Sequence, residues 1–199
     1  MDHVISGVAK FQKEVYPNKK ATFQKLATGQ NPEVLFITCS DSRIDPNLVT
    51  QTDPGELFIC RNAGNIVPPH SNQTGGMTAS IEFAVAALGV SHIVICGHTD
   101  CGAMKGAINP EGLSALPHVK EWLGHCRVAT EVVKERCGHS DLSIDDLEAV
   151  TKENVVQQIQ HLRTHPAVAA KIATGQVKLH GWVYNIGSGE VLYYNTESG

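Results

Sequence analysis

Three short apolar runs, each stopping abruptly at polar residues, constrain this chain more than any other feature. They are Val34-Leu35-Phe36-Ile37-Thr38-Cys39, Leu57-Phe58-Ile59-Cys60 and His92-Ile93-Val94-Ile95-Cys96. All are rich in strand formers and lack apolar–polar alternation, the pattern of strands buried on both faces. Helical patterns separate and follow them. Residues 2–28 carry Val4, Val8, Phe11, Val15, Phe23 and Leu26 on a polar background, with a break at Tyr16-Pro17-Asn18. Residues 75–89 form a helix so poor in charge that burial on most sides is expected, ended by Gly89. Further helices are predicted at 118–136 and at 143–173, the second interrupted near Pro166. Strands at 177–186 and 190–195 flank Gly187-Ser188-Gly189, a hairpin turn. The alternation predicts an α/β fold: a mainly parallel central sheet flanked by helices, with a C-terminal strand pair and an N-terminal helical arm. One domain is expected over 1–199, divided into the arm (1–28), an α/β core (29–110) and a helical region with the C-terminal strands (111–199).

Composition narrows the partners. Sixteen Lys and Arg against twenty Asp and Glu give a net charge of -4. No basic excess is present to neutralise phosphates, so nucleic acid is not expected as a partner. No apolar run approaches the ~20 residues of a membrane span. The start, MDHVISGVAKFQKEV, has neither the basic-then-apolar layout of a secretory signal nor the Arg-rich character of a transit peptide. A cytoplasmic location is expected. There, six Cys point to metal binding, catalysis or buried thiols and not to a disulfide framework.

In open α/β sheets the site lies outside the carboxyl ends of the strands, and that is where reactive residues collect. The first run ends in Cys39, with Asp41 and Arg43 just beyond; the third leads into Gly97-His98-Thr99-Asp100-Cys101-Gly102. Two thiols and one imidazole make the Cys2His donor set of a zinc site that leaves one position open. The spacing His98-x-x-Cys101 suits a tight loop, with Cys39 supplied by another strand. On spacing alone two alternatives stand. The cysteines can be small core residues, and Asp41 with Arg43 can be a solvated ion pair.

The motifs themselves, Cys39-Ser40-Asp41-Ser42-Arg43, Arg61-Asn62-Ala63-Gly64-Asn65 and Gly97-His98-Thr99-Asp100-Cys101-Gly102, resemble those of the β-class carbonic anhydrases. The likeness extends to Gln30, to Pro54-Gly55-Glu56 and to Gly181-Trp182, covers roughly 20 to 195, and is greatest to the short fungal and plant-like members. It implies one zinc ion per subunit on Cys39, His98 and Cys101, with water or Asp41 in the fourth place. A Cys2His zinc is formally neutral, whereas a His3 site keeps its +2 charge and brings bound water to a pKa of about 7. The weaker Lewis acid needs outer help. Asp41 can orient the attacking oxygen, and Arg43 can hold Asp41 ionised through a bidentate pair. The resemblance also implies open and closed forms, the closed one with Asp41 on the metal. Gln30 is expected to supply a donor from a neighbouring subunit, and Phe58, Ala63 and Gly102 to lie around the substrate. The partners implied are CO2 and bicarbonate and a second copy of the chain, as a homodimer or homotetramer. Some bacterial members carry a Trp, part of an inhibitory bicarbonate site, where this chain has Phe36, so that site is not expected.

Cys60 and Cys96 end apolar strands and read as core thiols. His125-Cys126 with Cys137-Gly138-His139 could form a second metal site, but the helical pattern gives no other reason to bring them together. His118 and His161 read as helix-face residues. The function expected is reversible hydration of CO2 at zinc. The rivals are a hydrolase of carbon disulfide or carbonyl sulfide with the same donors, and a non-catalytic zinc module. A nucleotide-binding protein is weaker, because no Gly-rich turn follows the first strand.

Overall fold

The structure, a computed structural model, describes residues 1–194. The chain forms two compact units, Met1–Asn31 and Pro32–Gly199. The first is the helical arm: α1 (Asp2–Lys10), a π-helical turn (Phe11–Val15), α2 (Tyr16–Asn18) and α3 (Lys20–Leu26). Pro17 does not break the helix as expected. It follows directly on the π-helical turn within a continuous helical backbone, and the interruption falls at Lys19 instead. Phe11, Tyr16 and Phe23 hold the arm together, with ring centroids 5.5–6.2 Å apart.

The larger unit is built on β1 (Val34–Cys39), followed by α4 (Pro46–Thr50) and β2 (Leu57–Asn62). Then come α5 (Gly76–Glu82), extended by a π-helical turn (Phe83–Ala87), β3 (His92–His98), α6 (Gly102–Ile108), α7 (Pro117–Leu123) and α8 (Arg127–Cys137). The chain finishes with α9 (Leu147–Arg163), α10 (Pro166–Ala173), β4 (Lys178–Tyr184) and β5 (Val191–Tyr194). Residue 195, the last of the expected final strand, lies outside the described residues. The sheet order is β2-β1-β3-β4-β5, parallel throughout except for the β4–β5 pair.

β1 and β3 are continuously apolar because both have neighbours on each side: Leu35, Ile37, Ile93 and Ile95 are wholly buried. They pack with Ile81, Val85, Val155, Ile159, Leu162 and Val168 from α5, α9 and α10. On the opposite face Phe36, Val94 and Cys96 are buried, with the half-buried Trp182 packed against them. α9 lies so close to the sheet that a Cβ on Gly97 would stand 2.9 Å from Val155, and one on Gly181 2.9 Å from Ile159.

Two expectations fail. β2 is not buried on both faces, since it is an edge strand and Ile59 is exposed. The segment around 75–89 is not buried on most sides either. Ile81, Ala84 and Val85 face the core, while Phe83 is exposed. Its low charge reflects small residues, which meet water at little cost, and not burial.

Candidate metal centre

Going along the sheet, the chain runs from β1 outward to β2 and then returns to place β3 on the other side of β1. Such a reversal opens a crevice beyond the carboxyl ends of the two strands. Cys39 is the last residue of β1 and His98 the last of β3. Past His98 the chain turns through Asp100, which takes a left-handed conformation at φ 57°, and delivers Cys101 as the residue capping α6. The three side chains are 5%, 1% and 1% exposed. Their donor atoms lie within 4.8 Å of one another, and the two sulfurs are 4.0 Å apart. The cluster could hold a metal ion.

Several local features aim these donors. His98 Nδ1 is 2.9 Å from the Thr99 carbonyl oxygen, which can only accept, so Nδ1 carries the proton and Nε2 presents its lone pair. That Nε2 is buried without a hydrogen-bond partner. An orphaned buried nitrogen is costly unless something else occupies its lone pair. The Gly64 backbone N–H donates to Cys39 Sγ at 3.4 Å, an approach made possible by a left-handed glycine at φ 85°. Asn154 Nδ2 donates to the Gly64 carbonyl at 3.1 Å and fixes that loop.

The thiols divide by electrostatics. Cys39 is driven well below the usual thiol range, first by the hydrogen bond with Cys101, against the effect of burial. Cys101 is driven up, first by that same bond and then by burial. Proximity and burial thus oppose ionising both thiols at once, an opposition that a cation between them would relieve. Cys96 behaves as a core thiol: burial pushes it up to about 12. Cys60 is raised by burial as well.

Asp41 and Arg43 form a fork. Arg43 Nε donates to Asp41 Oδ1 at 2.9 Å and Nη2 to Oδ2 at 2.8 Å, and the Arg43 backbone N–H adds a third bond at 3.0 Å. These bonds hold the Asp41 carboxyl well below the ordinary carboxylate range. Asp41 Oδ2 is 3.8 Å from His98 Nε2, so the ionised oxygen faces the donor cluster. The Asp41 side chain is 17% exposed and adjoins the cluster, while that of Arg43 is 43% exposed.

Sequence reasoning left two contributors without a role. Asp100 accepts from Arg43 Nη1 at 2.9 Å and pairs with Lys105, so the arginine is held from both strand ends. Arg61 donates to the Cys39 and Asp41 carbonyls at 2.9 and 2.8 Å, bracing the loop from the edge strand. Both lie inside the quoted motifs, but a fork between separate strand ends leaves no trace in spacing.

The expected substrate residues do not all gather here. Ala63 is exposed, and its carbonyl accepts from Trp122 Nε1 at 2.9 Å. Gly102 opens α6 beside Cys101, with open space where a side chain would stand. Phe58 instead packs on the main core against Phe83, with centroids 6.1 Å apart. Gln30 belongs to the arm unit and is exposed. His125 and Cys126 are not part of any donor group with Cys137 among the described residues; Cys126 is packed in the core near the metal centre.

The family model for carbonic anhydrase matches residues 34–191. The chain belongs to the β-class carbonic anhydrase family. It is 46% identical to a carbonic anhydrase of Synechococcus elongatus over 100% of this chain and 73% of that one. It is 48% identical to one from Pseudomonas aeruginosa over 96% and 86%. The structure of the β-carbonic anhydrase CcaA superposes with a TM-score of 0.94 at 42% identity, covering 98% of this chain and 95% of that one. A tetrameric β-carbonic anhydrase from Sordaria macrospora gives 0.84 at 31% identity, covering 98% and 96%.

Proposed function

We infer that this chain is a carbonic anhydrase, catalysing the reversible hydration of CO2 to bicarbonate and a proton. The observation that carries this is the buried Cys39–His98–Cys101 cluster with an ionised, arginine-held carboxylate facing it, in a chain of this family.

The donors suit zinc: two thiols with sulfurs 4.0 Å apart and an imidazole whose buried Nε2 lacks a partner are completed by a borderline-soft dication. Cys39, His98 and Cys101 would hold it, one ion per chain. Bound there, zinc supplies the Lewis acidity that makes water a nucleophile near neutral pH. The protein's own groups do the rest. Asp41 Oδ2, kept anionic by Arg43, accepts a hydrogen bond from the attacking water and turns its lone pair toward the carbon of CO2. The new C–O bond yields bicarbonate, and the displaced proton passes to buffer. The engagement of Asp41 by Arg43 supports an open form, with the fourth place left to water. Gln30, Phe58, Ala63 and Gly102 are proposed to surround the substrate, Gln30 from a partner subunit.

Self-association as a dimer or tetramer is supported by the arm, where Val4, Ile5 and Val8 are exposed and no residue of α1 is buried. The tetrameric Sordaria relative points the same way. Six free cysteines support the cytoplasm as location, and no helix among the described residues is long and apolar enough to cross a membrane. We read 1–199 as one catalytic domain with an N-terminal arm. The expected likeness to short fungal and plant-like members is not what the identities favour: the bacterial relatives above are 46–48% identical, the Sordaria structure 31%. Stopped-flow CO2 hydration with zinc counted in the same sample tests the activity. Full zinc occupancy without hydration would reassign the centre as structural.

A further inference from the structure

A second group of metal-binding side chains stands on the turn between α8 and α9. Cys137 is the last residue of α8, and Gly138 follows in a left-handed conformation at φ 69°. That turn folds the chain back, so that the His139 N–H donates to the Lys134 carbonyl at 3.1 Å. His139 is thereby set beside Cys137. Asp146, which caps the start of α9, completes the group, and the three ligand atoms lie within 4.8 Å of one another.

The two oxygens of Asp146 have different duties. Oδ2 accepts from the Ser143 N–H at 2.8 Å and from the Ser143 hydroxyl at 3.2 Å, closing a capping box. Oδ1 points out of the box to His139 Nδ1 at 3.2 Å. The carboxylate is therefore buried and anchored through Oδ2, while Oδ1 faces the His139 ring, a contact that a metal ion would replace.

We propose that Cys137, His139 and Asp146 form a second, exchangeable divalent-metal site that braces the end of α8 to the start of α9. One sulfur, one nitrogen and one oxygen suit zinc and similar borderline ions; magnesium and calcium require an all-oxygen set. Binding displaces the thiol proton of Cys137 and replaces the contact between His139 and Asp146. With Cys137 and His139 exposed, water completes the coordination and the ion exchanges readily.

The test uses full-length protein titrated with zinc, counting bound metal by atomic emission and following Cys137 by its rate of alkylation with iodoacetamide. Cys137 is exposed and the other five thiols are buried, so the label reports on it. A second equivalent should bind and slow alkylation by ~10-fold or more, because a coordinated thiolate is not free to attack. Cys137→Ser and His139→Ala should each lose that equivalent while keeping the first and full hydration activity. His98→Ala should do the reverse, losing the first and keeping the second, which separates this proposal from the catalytic one. Saturation at one equivalent in wild type would overturn it. So would a second equivalent that survives unchanged in both Cys137→Ser and His139→Ala.

Discussion

The Cys39–His98–Cys101 and Cys137–His139–Asp146 groups offer a metal similar chemistry in opposite surroundings. The first is buried, with a histidine nitrogen that has no protein partner. The second is half in water, and its histidine already has a carboxylate to pair with. A buried donor without a partner makes the cation part of the fold, whereas a solvated, paired donor makes it optional. Depth also separates their uses. Only the buried group has an ionised carboxylate held against it by a fixed arginine, the feature that turns a binding site into a reactive one.

The largest effect should come from removing a buried donor. Cys39→Ser, His98→Ala or Cys101→Ser should each lose most bound zinc and cut CO2 hydration by ~100-fold or more. Cys60→Ser and Cys96→Ala should retain the metal. Zinc analysis paired with stopped-flow rates decides it, and full occupancy with full activity in Cys101→Ser would abolish the distinction between the two groups.

Next in size is the carboxylate fork. Asp41→Asn should keep zinc but slow hydration by ~10–100-fold, the range seen when a group supporting a metal ligand is lost. Arg43→Lys should be nearly as damaging, because an ammonium cannot make the paired bonds to Oδ1 and Oδ2. Unchanged rates in both zinc-loaded variants would reduce Asp41 and Arg43 to a structural ion pair.

A smaller change touches the helix that the two groups share. α9 begins at the residue capped by Asp146 and packs Val155 against Gly97, next to His98. Gly97→Ala should lower stability by ~1–3 kcal/mol through overpacking, measured by denaturant unfolding. An unperturbed midpoint would mean that α9 can move off the sheet without cost.

The smallest effect is on pH dependence, beyond the far end of α9. His165 is buried, and its Nε2 lies 3.0 Å from the Pro68 carbonyl. Burial holds it below the ordinary histidine value, with a nearby His70 acting the same way. In the unfolded chain it titrates near ~6.5. Its contribution is therefore complete above that pH and is lost as pH falls toward the depressed folded value, since the unfolded state then takes up the proton first. His165→Gln keeps a donor for Pro68 and should flatten stability against pH below neutrality. A slope identical to wild type would assign the acid sensitivity elsewhere.

Much of this was legible in the residues. The apolar runs of β1 and β3 announce central strands, and the abrupt change at Cys39 and after Cys96 marks where the site must be. The metal donors stand at strand ends, so topology alone brings them together. What resisted reading depends on lateral neighbours. β2 has the same apolar look as β1 but lies at an edge. Asp146 belongs to a helix cap, so no local pattern of Cys and His could have connected it to Cys137.

The strand order carries a consequence for how the protein acquires its metal. Cys39 and Cys101 are 62 residues apart in sequence and meet only after β1 and β3 have paired. Closing so long a loop is slow and entropically costly, so an unfolded chain holds no chelate of this kind. Cys137, His139 and Asp146 all fall within the short stretch from the end of α8 to the start of α9. During refolding in zinc, the surface turn should therefore load before the sheet exists. Metal captured there early does not stabilise the native state as fully as metal that binds only after folding. The catalytic centre fills last, and its occupancy then serves as a record of completed folding.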